Sequence, residues 1–117
     1  EASTHPATQL YVDNLKKQGG KQAVLGIQST SAWLLFATLA KQCDKDNDLT
    51  RSCILKGADK VTEWSGGGLH APTNPAKNLG SNCGMVLQVK DEKFTRWAPK
   101  GKDFECSDSN IATVKPS

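Results

Sequence analysis

A chain of 117 residues, 37% hydrophobic and 23% charged, suits one modest soluble domain that buries about two-thirds of its unfolded surface. Its longest apolar stretch, AWLLFATLA from Ala32 to Ala40, falls well short of the ~18 residues of a membrane span and reads as a buried helix. The net charge of +3 balances 15 basic against 12 acidic residues interspersed along the chain, so no basic stripe marks it for nucleic acid.

The chain opens at Glu1 without a methionine or a charged-then-apolar leader, which reads as a processed protein or an excised piece. Thr4-His5-Pro6 suits a helix start, with threonine able to cap and proline tolerated in the first turn. Ala7, Leu10, Tyr11, Asn14 and Leu15 follow at helical spacing, and Gly19-Gly20 stops the helix. The short apolar run Ala23-Val24-Leu25-Gly26-Ile27 predicts a buried strand, passing through Gln28-Ser29-Thr30-Ser31 into a second helix over about 31–42. That helix is apolar on nearly every face, so it needs cover on several sides.

Asp44 to Asp48 is a polar loop. Its alternating carboxylates suggest an EF-hand, but Leu49 and Leu55 occupy the positions where that loop needs glycine and glutamate. Asp48 or Thr50 then caps a third helix over about 51–61, weakened by about 1 kcal/mol at Gly57 relative to alanine. No periodicity survives from Trp64 to Asn82, a loop long enough to suggest that more protein belongs around it. MVLQV at 85–89 and FTRW at 94–97, separated by a charged tip, predict a β-hairpin. In the tail only Phe104 and Cys106 look anchored.

The glycines of WSGGGLHAPTNP, Trp64 to Pro75, match neither phosphate-loop spacing and read as positive-φ residues in a corner. His70 has no ligand or base partner at a telling spacing, so no metal is expected, and no cofactor. No nucleophile elbow and no carboxylate pair stands out, so nothing argues for an enzyme. The stretch with chemical promise is Gln28, Ser29 and Thr30, read as hydrogen-bonding groups at a helix N-terminus behind a strand, where α/β sheets take up polar ligands. Capping by Thr30 or Ser31 is the plainer reading of the same residues.

Cys43, Cys53, Cys83 and Cys106 include no close C-x-x-C pair, which favours disulfides over metal. Of the three possible connectivities, neighbourhood in sequence favours Cys43 with Cys53 and Cys83 with Cys106. The first staples one helix to the next, the second braces the strands between its members, and both place the chain outside the reducing cytosol.

The order of HPATQLYVDNLKK, VLGIQSTSAWLLFATLAKQC, DLTRSCILKGADKV, WSGGGLHAPTNPAKN and CGMVLQVKDEKFTRWAPKGKDFEC resembles the C-terminal third of a type I periplasmic binding protein. The similarity is to the branched-chain amino-acid class of solute-binding proteins that serve ABC transporters, and it covers nearly all of residues 3–106. It implies an α/β fold, here a partial lobe with three helices, a short buried strand and a C-terminal β-hairpin. Residues 1–82 then close the first lobe, 83–106 form a hinge-crossing hairpin and its return, and 107–117 are a tail.

The resemblance also implies a full-length protein of two lobes closing on a small polar solute and delivering it to an ABC permease. Such a protein works in the periplasm or at the cell surface, with room for a lipid anchor upstream. Among family ligand contacts only the strand-to-helix loop carries over, onto Gln28, Ser29 and Thr30. Where amino-acid binders often present an aromatic ring, this chain offers Ser29 and Thr30. Cut from the remainder of its parent, the fragment is expected to self-associate, swap elements or expose apolar surface. Two other readings stay open: the ligand-binding domain of a sensory receptor, and a small disulfide-stapled secreted domain that binds another protein.

Overall fold

The computed structural model describes residues 4–114. Three helices, α1 (Pro6–Lys17), α2 (Val24–Lys45) and α3 (Arg51–Ala58), precede four short strands, β1 (Cys83–Gly84), β2 (Val86–Lys90), β3 (Lys93–Ala98) and β4 (Glu105–Cys106). The strands form two antiparallel pairs, β1 with β4 and β2 with β3. The chain divides into two units at Leu79 and Gly80. It is therefore a small mixed helix and strand protein, with the helices in the first unit and the paired strands in the second.

Helix α1 keeps its expected bounds, because Pro6 supplies a pre-set φ at the first turn and Gly19, at φ 65°, leaves the helical path. The N-cap is His5, whose side chain makes no cap bond; Thr4 does not occupy the position. The strand expected over 23–27 is not there. Ala23 is extended at φ −148° and ψ 151°, and α2 begins immediately after it. The physical reason is continuity: no charged residue lies between Lys21 and Lys41, and the same apolar residues that fill a strand propagate a helix once it has nucleated. Helix α2 thus runs 22 residues, four residues' worth of its start coming from the expected strand. Its N-cap, Ala23, has no side-chain cap bond, so neither Thr30 nor Ser31 caps it.

Helix α1 is tied to the start of α2 by the Tyr11 hydroxyl, which donates to the Ala23 carbonyl at 3.4 Å. Helix α3 is capped by Thr50, whose hydroxyl accepts from the Cys53 amide at 3.2 Å. It ends at Ala58, shorter than expected, and turns carry the chain on to Lys60. It folds back against α2: Cys43 is bridged to Cys53, and one helical turn further on Gly57 lies beneath Leu39. A β-carbon on Gly57 would meet Leu39 Cδ2 at 2.9 Å. The glycine that weakens α3 as an isolated helix is what lets the two helices approach.

The return continues past α3. Trp64 pairs with Thr73 through two backbone bonds of 2.9 Å, and Asn74 closes a second short loop with Leu79. Within that second loop Asn74 caps a 3-10 turn, Pro75–Lys77, accepting from the Lys77 amide at 3.0 Å. The aperiodic region from Trp64 thus carries its own bridges. Among the described residues, the buried side chains of the first unit are Tyr11, Ser31, Leu39, Cys43, Leu69 and Ala71. Only three of them belong to α2, whose Leu25 and Trp33 are 78% and 68% exposed.

In the second unit Asp91 and Glu92, at φ 51° and 60°, make the two-residue turn of the β2–β3 hairpin. The register slips by one residue between Val86 and Leu87, a bulge at the hairpin's base. Cys83 and Cys106 face each other across β1 and β4 and are bridged, so both expected disulfides are present and the second encloses the hairpin.

Candidate functional site

Gln28, Ser29 and Thr30 lie on the second turn of α2, with Gln28 and Ser29 exposed and Thr30 half-buried. Thr30 Oγ1 donates to the Gly26 carbonyl at 2.8 Å, one turn back in its own helix. Thr30 also lines a largely apolar groove of about 390 Å³ between α1 and α2, with Leu10, Tyr11, Leu15 and Leu34. The helix N-terminus itself lies at Val24, so the unpaired amides of the first turn precede these residues rather than belonging to them.

The structure assembles a polar cluster that no spacing rule in the sequence indicates. Ser31 Oγ is 2.6 Å from His70 Nε2, and the Trp64 indole N–H donates to the same oxygen at 2.9 Å. His70 Nδ1 is 2.7 Å from the Ala71 carbonyl. A carbonyl only accepts, so in the neutral ring Nδ1 carries the proton, Nε2 accepts, and the Ser31 hydroxyl donates to it. The chain of bonds runs from Trp64 through Ser31 and His70 to Ala71, every polar atom with a partner.

Three glycines bring His70 to this position. Gly66, Gly67 and Gly68 take φ 63°, 74° and 96° in succession, a path closed to most side chains. Thr8 on α1 donates to the Gly68 carbonyl at 3.0 Å, so the loop is pinned to α1 at one side and to α2 at the other. A β-carbon at Gly66 would stand 2.8 Å from Ser31 Oγ. Backbone therefore covers the hydroxyl, and Ser31 is only 4% exposed. A hydrogen-bonded serine and histidine are the groundwork of a nucleophile. Here the oxygen is held by Trp64 and covered by the Gly66 backbone, and its bonds tie the glycine loop to α2. His70 thereby joins α2 to the end of the glycine loop.

A groove of about 530 Å³ lies between α2 and α3, and in the second unit a cleft of about 400 Å³ opens beside the Cys83–Cys106 bridge, walled by Met85, Val86, Ala98 and Pro99. No group of three or more histidine, cysteine, aspartate or glutamate side chains fit to hold a metal ion occurs among the described residues. No protein-family model, curated protein or solved structure matches the chain.

Proposed function

We propose that this chain is the closing portion of a solute-binding protein that works outside the cytoplasmic membrane, capturing a small polar molecule without a chemical step and passing it to an ABC permease. The observation that carries the reading is α2: a helix apolar around nearly its whole circumference that leaves Leu25 and Trp33 more than two-thirds exposed. Such a helix is built to be covered by further protein, as it is in a lobe of which these residues are one part. The order of the sequence pieces, resembling the type I periplasmic class, supports the same reading. Two disulfides add an oxidising, extracellular environment.

Gln28, Ser29 and Thr30 are the solute contacts in this proposal. Gln28 and Ser29 are exposed on α2, and Thr30 lines the α1–α2 groove. Calorimetry on the protein encoded by the native reading frame, against a panel of amino acids and other small polar solutes, is the test. Saturable binding that weakens in the Ser29→Ala/Thr30→Ala variant supports both function and site. Binding untouched by the substitutions removes the site, and no binding across the panel removes the function. The disulfide pair also suits a small secreted interaction domain; a reading frame with a secretory leader directly before Glu1 would favour that alternative, and a membrane span downstream would favour a receptor.

A further inference from the structure

The groove between α2 and α3 combines an apolar floor with charges sorted by sign. Leu39 and Trp64 contribute to the floor, and Asp46, Asp48, Lys56 and Lys60 line it as well. Leu39 is 5% exposed and the Trp64 indole is held by Ser31, so the floor is fixed. Both carboxylates lie in the turn between the helices, before the Thr50 cap of α3, whereas Lys56 stands in the last turn of α3 and Lys60 just beyond it. From Thr50 to Lys56 the helix rises about 9 Å at 1.5 Å per residue, so the two signs sit at opposite ends of the groove. Among the described residues no ion pair joins these carboxylates to these lysines.

We propose that this groove binds short apolar peptides with free termini, the ammonium at Asp46 and Asp48 and the carboxylate at Lys56 and Lys60. An extended tripeptide spans about 10 Å at 3.3–3.6 Å per residue, close to the rise of α3 from the Thr50 cap to Lys56. A single amino acid carries both charges on one carbon and reaches only one end. The apolar side chains of the peptide lie against Leu39 and Trp64. The site is separate from the solute contacts proposed at Gln28, Ser29 and Thr30, none of which lines this groove.

Calorimetric titration of the full chain with trileucine at low ionic strength is the experiment. The expected result is saturable binding, weakened at least about tenfold when both termini are capped as N-acetyl and amide, and about as much by Lys56→Ala/Lys60→Ala. Leucine alone binds at least about tenfold more weakly than trileucine, since it cannot satisfy both ends. Both lysines are exposed, and the capped peptide poses the same question to the unaltered chain should the variant misfold. Absence of saturable binding, binding indifferent to capping or to the lysines, or leucine matching trileucine would each overturn the proposal.

Discussion

Ser31 Oγ and His70 Nε2 meet at 2.6 Å although 39 residues of chain separate them. With the Trp64 indole donating from another side, Ser31 ties α2 to the start of the glycine loop and to its end. Removing its hydroxyl strands two polar atoms, the indole N–H and the imidazole nitrogen, at a buried position, and an unmet buried donor costs about 1–3 kcal/mol. Ser31→Ala is expected to lower the unfolding free energy by about 2 kcal/mol, read from denaturant titration followed by tryptophan fluorescence. A loss within about 0.5 kcal/mol, the range of an ordinary surface change, would show that the cluster carries no stability.

Gly66 and Gly19 separate the two reasons a protein needs glycine. Their φ angles are nearly equal, 63° and 65°, but a β-carbon at Gly19 meets nothing within 4 Å whereas one at Gly66 meets Ser31 Oγ at 2.8 Å. Gly19→Ala therefore bears only the left-handed backbone strain, about 1–2 kcal/mol. Gly66→Ala bears the same strain and must also displace a hydroxyl held by two partners, so its loss is expected to exceed that of Gly19→Ala by about 1–3 kcal/mol. Paired chemical denaturation of the two variants measures the difference, and equal losses would mean that the loop is not seated against Ser31.

The residues that punctuate the chain are legible in the sequence, and the residues that pack are not. Pro6 and Gly19 bound α1, Thr50 caps α3, and a charged tip between apolar runs marks the hairpin, each through a local rule. The run from Ala23 to Ile27 carries no such rule: a short apolar stretch satisfies strand and helix alike, and the absence of charge until Lys41 removes the amphipathic contrast that would separate them. The placement of Gln28, Ser29 and Thr30 follows that ambiguity, since a strand would put them at a helix mouth and the helix puts them on its second turn. The positive φ of Gly66, Gly67 and Gly68 and the Cys43–Cys53 staple are legible, but that together they bring Trp64 and His70 onto Ser31 is a long-range arrangement that spacing does not encode. Gly57 shows the difference most simply, a helix weakness in sequence and a close approach to Leu39 in space.

The second unit depends on its disulfide more than the first. Every residue of β2 is exposed and, among the described residues, Pro99 is the only buried one beyond Ala71, so little apolar burial holds the hairpin, whereas Cys83–Cys106 closes a loop of 23 residues around it. A loop of that length contributes about 3 kcal/mol by restricting the unfolded chain, comparable to all the stability such a unit commands. Cys83→Ala/Cys106→Ala is expected to abolish amide-exchange protection across 80–114 while leaving α2 protected. Protection that persists in β2 and β3 would contradict this.

Trp33 and Phe36 test whether α2 is a covered helix left open. Their rings meet edge to face with centroids 5.6 Å apart, yet Trp33 is 68% and Phe36 46% exposed. In this chain their replacement removes little burial, so Trp33→Ser/Phe36→Ser is expected to change the unfolding free energy by only about 0.5–1 kcal/mol while reducing the binding of an apolar fluorescent dye. In the protein encoded by the native reading frame, where the proposed lobe covers this face, each side chain gains about 1.5–3 kcal/mol from full burial. The same double substitution is then expected to destabilise by about 3–6 kcal/mol and to leave dye binding nearly unchanged. The contrast between the two backgrounds is the measurement. Equal and small effects in both would show that nothing covers α2, and the solute-binding reading would lose the observation that carries it.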